Sequence, residues 1–281
     1  MASTEPNRKN ATRRSRSIPR KLLRLGAIHL LPLYYLIRLS DLGREGIEHS
    51  GSFRFADHIY RGTPSGRTPL GRWIDGRLLA MPAARAFRRR YQHAQSAVRQ
   101  ALEARPNGSY PVRVLAVPCG IPRDIVELAH TLRRENPALL SRLEYHGVDI
   151  DHRALAAASA LTTRHELPSA HYHLGDALTG ESYPNVRFDV VISTGLGEFL
   201  SDDELTAFYG RVYDAMAPGA TFYTSATARD GRSDALLQMA EIVTAYRTPS
   251  ELERILRHIP WSRLDVTRDP SGLQTFVTAV R

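Results

Sequence analysis

Pro111-Val112-Arg113-Val114-Leu115-Ala116-Val117-Pro118-Cys119-Gly120-Ile121-Pro122-Arg123-Asp124-Ile125-Val126-Glu127-Leu128-Ala129 is the stretch whose reading decides the fold. Its opening is β-branched and apolar, as a strand buried on both faces must be. Its middle is a turn made of Pro, Gly and Pro. Its end places apolar residues at Ile125, Leu128 and Ala129, which is helical spacing. A strand that passes through a tight turn into a helix aims backbone N–H groups and the positive helix end at one point. Such a point suits a polar or anionic group of a ligand.

Downstream the same alternation repeats. Strands are predicted over 143–149, 170–174, 188–193 and 220–225, the last entered through a turn at Pro218-Gly219. Helices are predicted over 122–134, 153–163, 202–215, 234–246 and 250–258. Two closing strands, 261–267 and 273–280, are joined by Asp269-Pro270-Ser271-Gly272 and read as an antiparallel hairpin. Strands alternating with helices predict an α/β fold: a doubly wound, mostly parallel sheet with a C-terminal antiparallel hairpin. Its ligand crevice lies at the carboxyl ends of the strands.

Upstream the character changes. Residues 1–20 are polar and basic without apolar periodicity and read as a disordered tail. Residues 21–108 read as a helical N-terminal extension or cap, and 109–281 as the α/β domain. Residues 22–37 are the most hydrophobic run, but the uncharged part, 26–37, is too short for a bilayer span of roughly 20 residues. That run suits either packing on the domain or the membrane interface. Residues 41–80 read as turns mixed with short aromatic segments around Phe53, Phe55 and Tyr60. Over 83–104, Ala84, Phe87, Tyr91, Ala94, Val98 and Leu102 follow helical spacing, and Pro106-Asn107-Gly108 ends the helix.

Charge follows the same division. Residues 1–110 hold 21 Lys and Arg against 7 Asp and Glu, whereas the remainder holds 17 against 22. The whole positive excess therefore lies in the N-terminal part, which reads either as a solvated basic face or as the site of an anionic partner: lipid headgroups, nucleic acid or an acidic substrate. A nucleic-acid partner is disfavoured, because the α/β part is net acidic and lacks an aromatic-plus-basic motif. The single cysteine, Cys119, excludes an internal disulfide and fits a cytoplasmic setting, peripheral to the membrane if the N-terminus binds lipid. Arg13-Arg14 is not followed by a small-residue cleavage site, so the chain does not read as an export substrate.

The turn excludes several ligands. One glycine in place of G-x-G-x-x-G disfavours a dinucleotide, and a missing Lys excludes a P-loop. Asp149 closes the second strand, where a carboxylate can accept both hydrogen bonds of a ribose diol. Asp176 follows the third. Here the chain resembles the class I S-adenosylmethionine-dependent methyltransferases, in a bacterial-type subgroup with an N-terminal helical extension. The blocks VLAVPCGIPRDI, YHGVDIDHRAL, HLGDAL, FDVVISTGLGEFLSDDEL, MAPGATFYTS and the terminal hairpin come in that family's order over about residues 110–281.

The resemblance implies that Pro118, Cys119 and Gly120 lie along the methionine part of S-adenosylmethionine. It places Asp149 on the ribose hydroxyls and Ile150 under the adenine, with Asp176 and Ala177 at the adenine edge. Ser193, Thr194 and Gly195 then face the sulfonium and the acceptor. The chain departs from the family at Ala116, where an acidic residue is usual, and at Pro118 and Pro122, where glycines are usual. Asp124 or Glu198 are candidates to replace the missing acid. Cys119 reads as a small turn residue rather than a nucleophile.

Methyl transfer from a sulfonium is an in-line displacement of an activated donor, so proximity and alignment dominate. A base is needed only where the acceptor loses a proton, and Tyr91, His93, His58 and Glu198 have suitable chemistry. His171 and His173 share one face of a strand, but without a third ligand nearby they read as surface residues, and no metal is expected. The expected activity is methylation of a small or lipid-like acceptor. The alternatives are a membrane- or nucleic-acid-associated binding protein with a vestigial cofactor site, and an RNA methyltransferase.

Overall fold

A computed structural model describes residues 18–20, 22–24, 26, 28–49, 52–105, 110–179, 181, 183–228 and 245–281. The readings of a disordered tail over most of 1–20, of a helix over 234–244 and of a boundary at Pro106-Asn107-Gly108 lie outside the described residues. The chain divides into two compact units, residues 1–87 with 230–243, and residues 88–229 with 244–281. The division falls inside one long helix.

In the first unit, short helices α1 (Leu31–Ile37), α2 (Asp41–Glu48), α3 (Phe53–Arg61) and α4 (Pro69–Leu79) follow one another. Each of the last three starts at a hydroxyl cap: Ser40 accepts from Gly43 N–H, Ser52 from Phe55 N–H and Thr68 from Gly71 N–H. Gly62, at φ 62°, terminates α3 in the left-handed conformation. Residues 62–65 are irregular, in keeping with the turn expected there, but the short aromatic segments around Phe53, Phe55 and Tyr60 are one capped helix, α3, between two others. Two glycines within these helices are packing residues. A Cβ on Gly71 would stand 2.2 Å from the carbonyl oxygen of Leu39, and one on Gly43 2.4 Å from that of Ile37. Leu42, Ile59, Leu79 and Ala84 form this unit's small core, with Phe55 and Phe87 against it. No helix among the described residues is long and apolar enough to cross a membrane.

The second unit is built on a seven-stranded sheet of order β3-β2-β1-β4-β5-β7-β6. The strands are β1 (Val112–Ala116), β2 (Leu143–Asp149), β3 (Ala170–Leu174), β4 (Phe188–Thr194), β5 (Met216–Thr227), β6 (Arg263–Arg268) and β7 (Gln274–Val280). β1 pairs in parallel with both β2 and β4, so the strand order reverses at β1. β7 runs antiparallel to both β5 and β6, which makes the last two strands the expected hairpin. Pro218-Gly219 lies inside β5 rather than before it. Gly219 has φ 75°, and pairing with β4 shifts register between Phe188 and Val190. A bulge has absorbed the expected turn.

The helices are α5 (Pro82–Ala104), α6 (Arg123–Glu135), the single turn α7 (Pro137–Leu140), α8 (His152–Arg164), α9 (Asp202–Ala215) and α10 (Pro249–Leu256). Strand alternation sends Val114, Ala116, Val190 and Ile192 to one face, against Ala94, Val98 and Leu102 of α5 and Ile125, Leu128 and Leu132 of α6. It sends Leu115, Val117, Val191 and Phe222 to the other face, against Leu205, Phe208 and Val212 of α9 and Leu252 and Ile255 of α10. Two apolar layers thus enclose the central strands, as a parallel sheet requires. Between β3 and β4, however, the described residues contain no helix.

Candidate active site

The carboxyl ends of β1, β2 and β4 meet at the turn after β1. Val117 N–H still bonds Ile192 O at 2.9 Å, and Cys119 N–H bonds Val148 O at 2.9 Å, so the turn is pinned to both neighbouring strands. Gly120 takes φ 50°, which an L side chain would resist. The Cys119 side chain packs against Gly147, where a Cβ would come within 2.9 Å of its Sγ. Burial pushes the Cys119 thiol well above its ordinary range, with the nearby Asp149 charge adding to the effect. It is a filler of the turn, as its sequence context suggests, and not a thiolate.

Asp149 joins the turn to the second strand. One carboxylate oxygen accepts Gly120 N–H and the other accepts Asp151 N–H, both at 2.9 Å. The residue is 8% exposed, and burial raises its carboxyl despite those two donors. A carboxylate offers about four acceptor positions, so two remain for a ligand. Beside it, Ile150 and Leu174, at the ends of β2 and β3, are each 64% exposed, an apolar surface with no cover from the described chain. Asp176 accepts Leu178 N–H at 2.8 Å and so also shapes its own turn, while Ala177 is buried in the core.

At the end of β4, Ser193 is buried and Gly195 takes φ 88°. A Cβ on Gly195 would lie 3.6 Å from the Arg90 guanidinium and 3.7 Å from Glu198 Oε2. Arg90 and Glu198 form a buried pair 3.6 Å apart. Glu198 also accepts the Thr227 hydroxyl, and that hydroxyl accepts Gln274 Nε2–H at 2.8 Å. Ser225, paired with Thr194 across the sheet, keeps a buried Oγ with no hydrogen-bond partner among the described residues. An unsatisfied hydroxyl of this kind costs about 1–3 kcal/mol unless a ligand or water reaches it.

The base candidates separate. Burial, and then the hydrogen bond with Glu127, push the Tyr91 phenol far above its ordinary range, so it stays protonated and packs. His58 Nε2 is tied at 2.8 Å to buried Asp75 within the first unit. Glu198 is committed to Arg90 and Thr227. His93 lies on α5 with its ring stacked on Phe276, 4.3 Å between centroids, and burial lowers its pKa. Burial disfavours its charged form, so the ring is a neutral imidazole. Arg90 was missed in the sequence because it sits in a run of arginines. Its signal is position: it interrupts the buried ladder Ala86, Ala94, Val98 and Leu102 on α5. His171 and His173 lie on β3, and β2 supplies further donors beside them, Glu144 and His146, which corrects the expectation that no third ligand is near.

Asp124 opens α6 just beyond the turn. Burial raises its carboxyl from 3.8 to about 6, with only the N–H groups of Ile125 and its own backbone opposing the shift. Between those values the unfolded chain releases this proton while the native state keeps it. Stability therefore falls as pH rises through that window, and the full penalty is present above it. Asp124→Asn is expected to raise stability near neutral pH by up to about 3 kcal/mol, and to give no gain below pH 4. Urea unfolding at the two pH values checks this; an equal effect at both would show that charge is not the cause.

The chain is similar to known proteins in several respects. The family model Methyltransf_20, described as "Putative methyltransferase", matches residues 38–230. No curated protein matches in sequence. Among solved structures, a possible exported protein from Bordetella parapertussis is 22% identical, with a TM-score of 0.78 and 99% of each chain covered. The magnesium protoporphyrin IX methyltransferase of Synechocystis, solved with bound S-adenosylhomocysteine, is 15% identical, with a TM-score of 0.54 over 80% of this chain and 93% of that one. The C-methyltransferase domain of the citrinin polyketide synthase is 17% identical, with a TM-score of 0.60 over 90% of this chain and 66% of that one. With its reversing sheet and its turn held by Asp149, the chain belongs to the Methyltransf_20 family and is a class I S-adenosylmethionine-dependent methyltransferase.

Proposed function

We propose that the crevice holds S-adenosylmethionine with Asp149 on the ribose diol and Ile150 beneath the adenine. Asp176 and Ala177 flank the adenine edge, and Pro118, Cys119 and Gly120 run along the methionine chain. Ser193, Thr194 and Gly195 face the sulfonium. The buried Arg90–Glu198 pair takes the amino-acid end, the guanidinium toward its carboxylate and the carboxylate toward its amine. It thereby replaces the acid missing at Ala116. The observation that carries this reading is the Asp149 carboxylate, fixed by two backbone donors with acceptor capacity to spare at the point of strand reversal.

When bound, the cofactor supplies an activated methyl group. The chain's part is to align the acceptor behind that methyl and to keep water out. His93 takes the proton where the acceptor atom carries one. We assign a small or lipid-like acceptor and an anionic membrane surface as the setting. In support, Leu23, Ile28, Leu33, Tyr35 and Leu36 of the N-terminal unit are 43–57% exposed. They lie within the segment that holds the chain's positive excess. The test is to incubate the full chain with tritiated S-adenosylmethionine and a lipid extract in anionic vesicles. Label is expected in the organic phase, less of it with neutral vesicles. Label confined to water-soluble products would overturn the lipid assignment, and no label with any acceptor pool would overturn the enzyme reading.

A further inference from the structure

β3 is an edge strand, and one face of β2 and β3 carries no helix from the segment between β3 and β4 among the described residues. That face is occupied by imidazoles and a carboxylate. Glu144 and His146 are two apart on β2 and so share a face. Parallel register sets His146 beside His171 and Val148 beside His173. His146 is buried, Glu144 and His173 are half-buried, and His171 is exposed. The His146 ring stacks with His171 at 4.8 Å and with His173 at 5.6 Å between centroids. Its Nε2 lies 2.9 Å from Glu144 Oε1, and its Nδ1 lies 3.3 Å from His173 Nε2. One ligand atom from each of Glu144, His146 and His171 stands within 4.8 Å of the others.

We propose that Glu144, His146 and His171 bind a divalent transition metal of the zinc type, clasping edge strand β3 to β2. The donor set selects the class of metal. Imidazole with one carboxylate suits zinc and its neighbours, whereas magnesium and calcium require oxygen ligands. Bonds of about 2.0–2.2 Å in a tetrahedral arrangement place ligand atoms about 3.4 Å apart. The Glu144–His146 contact is already shorter than that, and rotation of the exposed His171 ring closes the rest. Two outer contacts orient the ligands: Ser169 Oγ stands 3.0 Å from His171 Nε2, and Arg113 Nε 3.2 Å from Glu144 Oε1. Arg113 shifts to the second oxygen when the metal takes the first. His173 is the adjacent reserve ligand, facing the other nitrogen of His146.

The test uses tag-free full-length protein stripped with a chelator. Zinc chloride is titrated by calorimetry, and thermal unfolding is followed with and without zinc. Uptake of one zinc per chain and a rise in Tm are expected. His171→Ala and Glu144→Gln should each weaken uptake roughly tenfold or more and remove the rise. His171 is exposed, so its variant should keep the metal-free Tm and far-UV spectrum, which separates lost ligation from lost folding. His130→Ala removes one partner of a different histidine pair, His130–His165, and should change nothing. Absence of saturable uptake, uptake that survives the His171→Ala, Glu144→Gln double variant, or equal loss in His130→Ala would overturn the proposal.

Discussion

Replacing Asp149 with alanine is expected to weaken S-adenosylhomocysteine binding by about 2–4 kcal/mol, roughly thirty- to a thousandfold. The estimate follows from two charge-assisted hydrogen bonds to a diol, made by a carboxylate that is only 8% exposed. The same substitution strips the acceptor from Gly120 N–H and Asp151 N–H, so the turn itself can deform. Lost affinity alone therefore does not prove a contact with the ribose. Binding of the 2′,3′-dideoxy analogue, measured beside the parent compound, separates the two causes as a chemical double-mutant cycle. In the native chain the analogue should bind far more weakly. In Asp149→Ala the two should bind alike. Equal loss for both compounds, or none for either, would remove Asp149 from the ribose. The pH dependence carries a further sign. Only the ionised carboxylate accepts both hydroxyls, and burial raises its pKa above 3.8. Affinity should be flat near neutrality and fall on the acid side at higher pH than for an ordinary aspartate.

The catalytic half of the chain was legible because its signals are local. A strand, a turn with one glycine and a helix follow each other within 111–129, and the Asp149 and Asp176 positions are defined by strand ends that the apolar runs mark out. The strand ladder was predictable in type for the same reason. Three features were hidden, each for a physical cause. Gly66 and Gly71 resemble turn glycines, yet they permit close backbone approach to Leu39, far off in sequence: a Cβ would stand 3.0 Å from the Leu39 carbonyl oxygen on Gly66 and 2.2 Å on Gly71. Arg90 resembles its neighbours Arg88 and Arg89, and only the helical phase of α5 distinguishes the buried one. Glu144 and His146 are separated from His171 by 25 residues or more, and only the β2–β3 register brings them together. Periodicity reports which way a residue faces on its own element. It does not report what the neighbouring element brings to that face.

Asp75 tests the N-terminal unit in the same way, and its substitution should have the largest effect on stability. The side chain is fully buried and accepts four hydrogen bonds, from Ser40 Oγ at 2.6 Å, Leu42 N–H at 2.8 Å, Ser65 N–H at 3.1 Å and His58 Nε2 at 2.8 Å. Burial alone would raise this carboxyl, but the bonds from His58, Ser40, Leu42 and Ser65 outweigh it and hold it below its ordinary value. Its stabilisation is therefore present above pH 3.8 and is lost as pH falls through the depressed pKa. The four donors come from the start of α2, from α3 and from the loop before α4, so the carboxylate ties together the segments whose Leu42, Ile59 and Leu79 form the small apolar cluster. Asp75→Ala leaves those donors without an acceptor and should cost about 3–5 kcal/mol. His58→Ala should cost less, and the double variant should lose less than the two losses combined, because both remove one shared interaction. Denaturant unfolding measures all three, and proteolysis should open the chain first within residues 40–80. Strictly additive losses would show that His58 and Asp75 share no stabilising contact, and a rate defect in Asp75→Asn without a stability defect would recast them as a proton-transfer pair instead of the tie that holds these helices.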